Sequence, residues 1–104
     1  MSLVIDEQVL TEPAELALGA NALPISCQIT VEWLRGIAEP TWYGFFEPLD
    51  TGVQVLPGGY RLRICGREVQ ILLRRPVRGQ MDTRYPFWGI GVPPIARPVP
   101  SPAT

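Results

Sequence analysis

Apolar and polar residues alternate most cleanly over positions 25–33. Ile25, Cys27, Ile29, Val31 and Trp33 interleave with Ser26, Gln28, Thr30 and Glu32. A two-residue period rich in β-branched side chains predicts a strand with one buried face, and it points Cys27 inward. The same period recurs in 60–64 and 69–73. There Tyr60, Leu62 and Ile64 alternate with Arg61 and Arg63, and Val69, Ile71 and Leu73 alternate with Gln70 and Leu72. Between them lies Cys65-Gly66, a two-residue hairpin signal. Keeping both apolar rows on one face requires paired residue numbers to sum to 131. This puts Leu62 beside Val69 and Arg63 beside Glu68.

The other elements are shorter. Residues 3–10 read as a strand. Residues 13–18 fit a short helical turn, with Pro13 at a first helical position and Gly19 as its stop, and equally an extended segment, being short for a stable helix. Residues 34–40 connect to an aromatic strand over 41–47, ended by Pro48. Residues 49–59 read as a loop, with Val53 and Val55 as a short edge. Residues 75–84 read as a mobile polar loop. Residues 85–92 read as a last strand, which Pro86 would put at a sheet edge. From residue 93 the chain is proline-rich and is expected to be an extended, disordered tail over 93–104. The expectation is a single all-β domain over 3–92, an antiparallel barrel or sandwich of five to six short strands.

Composition removes most chemistry. The 104 residues contain no histidine and no lysine. That excludes histidine-based catalytic triads, imidazole metal sites and a P-loop lysine. Two cysteines 38 positions apart make no zinc framework. No pattern places two carboxylates on facing inner positions, and Cys65 has no general base to make it a nucleophile. No catalytic residue, metal ligand or cofactor site is expected. Apolar runs are only a few residues long, too short for a membrane helix. No signal peptide is visible, so free thiols in a reducing, cytoplasmic setting are expected.

Charge is uneven. Residues 1–50 hold eight acids and one base, a net −7; residues 51–104 hold eight arginines and two acids, a net +6. In one small domain the two halves are expected to mix on the surface. Seven of nine aromatic residues fall in 42–46 and 85–88. In 41–47, Trp42, Gly44 and Phe46 share one side, read as inward, with Gly44 leaving a gap for a core side chain. Tyr43 and Phe45 then face out, two rings in line that invite a partner.

These readings converge on a non-enzymatic protein-interaction module, self-associating or binding another protein. Its contact surface is expected to include Tyr43, Phe45, Arg61 and Arg63. The alternative is a small barrel that binds single-stranded nucleic acid through Arg61, Arg63, Arg74 and Arg75. A net charge of −1 counts against nucleic acid as a partner.

Overall fold

The computed structural model describes residues 3–50, 52–74 and 84–95. Six strands, β1 (Val4–Leu18), β2 (Asn21–Leu34), β3 (Thr41–Pro48), β4 (Gly58–Ile64), β5 (Arg67–Leu73) and β6 (Tyr85–Ile90), form an antiparallel barrel. Around the wall the order is β1-β2-β3-β6-β5-β4, and β4 returns to β1. The expected all-β class and barrel architecture are present.

The helical turn at 13–18 is absent. Those residues continue the first strand, so β1 runs unbroken for 15 residues and turns through Gly19-Ala20 into β2. Ala14 and Leu16 are buried on its inner face while Pro13 and Glu15 stay exposed, a two-residue period. A hairpin partner on β2 settled what local propensity left open. The β4–β5 hairpin has the expected register: Tyr60 pairs with Ile71, Leu62 with Val69 and Arg63 with Glu68. Both turn residues, Cys65 (φ 55°) and Gly66 (φ 71°), have positive φ, the backbone of a type I′ turn.

The core is the barrel interior. Leu16, Ile25, Ile29, Val31, Leu62 and Ile71 line it with Cys27, all inaccessible to solvent. Trp42, Phe46 and Phe87 fill its middle, with Phe46 stacked on Tyr85 at 5.2 Å and Trp42 edge-on to Phe87 at 6.4 Å. Gly44 leaves no gap for a side chain. A Cβ there would collide with the backbone carbonyl of Gln28, so glycine serves the close approach of β3 to β2. The space a missing Cβ does provide is at Gly89, where the Trp42 indole lies.

Three further expectations change. β6 is not an edge strand; it sits between β3 and β5. Pro86 is tolerated as its second residue, ahead of the β5 ladder, which begins at Leu73 and Phe87. Val53 and Val55 form no edge strand. Val55 is buried, Val53 packs against the core, and the Tyr85 hydroxyl bridges Val53 O and Val55 N, each at 3.4 Å. The ordered chain also runs past residue 92. Pro93 and Pro94 are buried, Ile95 packs on the core, and Trp42 Nε1 donates to Gly91 O at 2.9 Å. The loop expected at 75–84 falls outside the described residues except for Arg84, as does the tail from 96 onward. No described helix is long and apolar enough to cross a membrane.

Candidate interaction surface

Strand parity and register build a surface on the outside of β3, β6 and β5. Tyr43 is the cross-strand partner of Trp88, and Trp88 of Leu72, so three outward side chains form one row across three strands. One step along, Phe45 pairs with Pro86; one step the other way, Ile90 pairs with Gln70. Trp88, Leu72 and Ile90 are 43%, 45% and 46% exposed, and Tyr43 and Phe45 are half-buried. Trp88 meets the Tyr43 ring edge-on at 5.9 Å. The Arg74 guanidinium lies 4.8 Å from the Trp88 centroid, and that of Arg84 4.9 Å from the Phe45 centroid. A cation over an exposed ring is worth about 0.5–1 kcal/mol, enough to hold these rings in place without burying them.

Tyr43 therefore faces out as its parity implied. Its hydroxyl donates to Glu32 Oε1 at 3.0 Å, and that bond holds the phenol pKa above its ordinary value. Phe45 faces out too, under Arg84. Trp88, the most exposed aromatic ring of the row, is not among the residues singled out from sequence. Its signal was the period of 85–90: with Tyr85 and Phe87 inward, Pro86, Trp88 and Ile90 must point outward. Leu72 could be joined to it only through the β5–β6 register.

Arg61 and Arg63 are elsewhere. They lie on the outer face of β4, three strands from β3 by either route around the wall. The structure does not bring them together with Tyr43 and Phe45. There they share a groove of about 250 Å³ with Glu15, Glu68, Ala17 and Ala22. Arg63 is flanked across the backbone by Glu68 on β5 and Glu15 on β1. The ion pair to Glu68 comes from Arg61, one step along the strand, at 3.6 Å between largely exposed side chains. A pair this exposed adds less than about 1 kcal/mol. This wall is of mixed charge. Of the arginines considered for nucleic acid, only Arg74 touches the aromatic row, and Arg75 lies outside the described residues.

Among the described residues the charge halves stay apart except along the β1–β4 seam, where Glu15 lies beside Arg63. Because β1, β2 and β3 are contiguous around the wall and β6, β5 and β4 complete it, the sequence halves are spatial halves. β1 and β2 carry Asp6, Glu7, Glu12, Glu15 and Glu32 with no base, while β4 and β5 carry three arginines and Glu68.

Cys27 and Cys65 are both free, Cys27 buried and Cys65 exposed. Burial, with a smaller contribution from Cys65, pushes the Cys27 thiol up to about 12. The Cys65 thiol is also raised, by desolvation and then by Glu12, which outweigh the lowering by Arg67. Arginines at the turn therefore do not activate it. Among the described residues, no three cysteine or acidic side chains come together to hold a metal ion. The chain matches no family model, no curated protein and no solved structure.

Proposed function

We propose that this barrel is a non-enzymatic interaction module that self-associates through the outer wall of β3, β6 and β5. The observation that carries the reading is the row Tyr43–Trp88–Leu72, extended by Phe45 and Ile90. Aromatic residues fixed by neighbouring strands and left exposed are the usual anchors of protein contacts. Arg74 and Arg84 frame the row, a residue type enriched at such surfaces. Two free thiols suit a reducing, cytoplasmic setting. Light scattering across a concentration series tests the reading. The mass should rise with concentration, and Trp88→Ser should return the protein to a folded monomer that still unfolds cooperatively. A protein monomeric throughout, or association indifferent to Trp88→Ser, overturns self-association.

One arrangement favours a second reading. Guanidinium groups over Trp88 and Phe45 resemble what single-stranded nucleic-acid binding needs, rings to stack on bases and cations for phosphates. Arg61 and Arg63 would play no part in it. Fluorescence anisotropy with an unstructured oligonucleotide at physiological salt decides. Micromolar binding lost in Trp88→Ser would put this reading first.

A further inference from the structure

β1 is longer than its second neighbour can cover. It pairs with β2 in one unbroken register from Asp6 to Leu18, with a shift between Val4 and Asp6, but with β4 only at Glu15–Arg63 and Leu16–Leu62. β4 ends at Ile64 and turns away at Cys65-Gly66. Among the described residues, no strand lies beside β1 from Pro13 to its start on the side away from β2.

Hairpin geometry tells which groups face that side. Leu18 and Asn21 flank a two-residue turn and so exchange both backbone bonds. Alternation then directs the even-numbered residues of β1 to β2 and the odd-numbered ones away from it. One observation agrees: the Glu7 N–H, of odd parity, donates to the side-chain Oδ1 of Asp6 at 2.9 Å and not to β2. Pro13 has the same parity, so its missing N–H costs the β2 ladder nothing. Among the described residues, no strand takes up the N–H of Val9 and Thr11 or the carbonyls of Glu7, Val9 and Thr11.

An edge of this kind templates another strand, and its side chains select which. Glu7 and Glu12 give it two acids, and the strand carries no base. Two copies paired edge to edge would set acid against acid, which disfavours a second copy of this chain. On the inner side of the same strand, Gln8 Oε1 is buried with no hydrogen-bond partner among the described residues, an acceptor awaiting a donor. On the outer side, Ile5 and Val9 are exposed and offer aliphatic contact. We infer that the free edge of β1 docks a short, extended, cationic segment of a partner protein by strand addition, alternating aliphatic residues with lysine or arginine. The span from Glu7 to Thr11 accommodates about five residues, roughly 17 Å of strand.

The test uses the full chain and a capped peptide alternating valine with lysine, compared with one alternating valine with glutamate. A fluorophore on Cys65, the exposed thiol at the end of this edge, reports binding. The lysine peptide should bind, the glutamate peptide should not, and amide exchange at Val9 and Thr11 should slow at least tenfold on binding. Val9→Pro removes an edge donor outside the β2 ladder and should weaken binding at least tenfold. Should that variant not fold, Glu7→Lys with Glu12→Lys should reverse the preference between the peptides. Trp88→Ser should leave peptide binding unchanged, which separates this edge from the aromatic wall. Protection appearing on β3 or β6 instead, or indifference to the charge reversal, overturns the inference. So does binding that appears only after residues 96–104 are deleted, which would make this chain's own tail the occupant.

Discussion

The β1–β2 and β4–β5 hairpins are built alike and behave differently. Each turns through two residues, and each buries an aliphatic row against the same core. In β4–β5 every outward position but Leu72 is polar or glycine, and the strands stop where their partners stop. In β1–β2 the first strand overruns β4 by some ten residues. Its inward row there carries Asp6, Gln8 and Glu12, and its outward row carries Ile5 and Val9. A strand covered on both flanks can be wholly committed to the core. A strand that overhangs must keep an inner face wet and an edge guarded. Within that hairpin β2 carries most of the core, while β1, which gives it only Ala14 and Leu16, is the strand with groups left over for a partner.

The largest effect should come from the seam that joins the two. β1 meets β4 at only two residue pairs, and one of them, Leu16–Leu62, is wholly buried on both sides. Leu16→Ala and Leu62→Ala should each cost about 2–5 kcal/mol. Because the side chains are direct neighbours, the double variant should depart from the sum of the singles by about 0.5–3 kcal/mol. Urea denaturation measures all three. A single cooperative transition is expected, since stability of the order of 5–15 kcal/mol leaves neither hairpin independent. Two separated transitions in the double variant would mean that the hairpins are distinct folding units, and the comparison would then be one of two small domains.

The same contrast explains what the sequence disclosed. The β4–β5 register was legible because one row is aliphatic and the other largely polar, and because a loop of two residues or of four gives the same pairing. The outward placement of Tyr43 and Phe45 was legible from parity within a single strand. β1 was not, because its alternation inverts along the overhang. Ala14, Leu16, Ala17 and Leu18 then fit a helical face as well as a strand, until β2 pairs with them. The rest of the aromatic wall was hidden for another reason. Trp88 and Leu72 join Tyr43 only once β6 inserts between β3 and β5, a strand order that no local pattern encodes. For the same reason, the separation of Arg61 and Arg63 from the aromatic residues could not be seen along the chain.

Each hairpin holds one cysteine, which sharpens the comparison by pH. Cys27 faces the core from β2, and burial raises its thiol from 9.0 to about 12. A group whose folded pKa is raised favours the folded state fully below its unfolded pKa. That contribution is lost as pH climbs from about 9 through 12, on the order of 4 kcal/mol once complete. Cys27→Val, similar in volume and without a proton to lose, should therefore lose less stability than the parent across that window. Denaturation midpoints taken through the alkaline range show this. Cys65, exposed at the other turn, should react with a thiol reagent in the folded protein, whereas Cys27 should react only on unfolding. Parallel alkaline stability curves for parent and Cys27→Val would mean that the thiol is not held in a dry core.

The smallest effects belong to the turns, and they should have opposite signs. At the β1–β2 turn Gly19 has φ 60°, and a Cβ built there meets no atom within 4 Å. Space is no obstacle to Gly19→Ala, so its cost is conformational, about 1–2 kcal/mol for an L-residue held at positive φ. At the β4–β5 turn the chain already bears that cost, because Cys65 sits at φ 55° ahead of Gly66. Asparagine tolerates this backbone better, and Asn-Gly is the favoured pair for a type I′ turn. Cys65→Asn should therefore raise stability by less than about 1 kcal/mol while leaving the register unchanged. Urea midpoints of the two variants, measured against the parent at neutral pH, give both signs. If Cys65→Asn destabilises instead, the thiol makes a contact at the turn that outweighs the backbone strain, and the two turns are not equivalent devices.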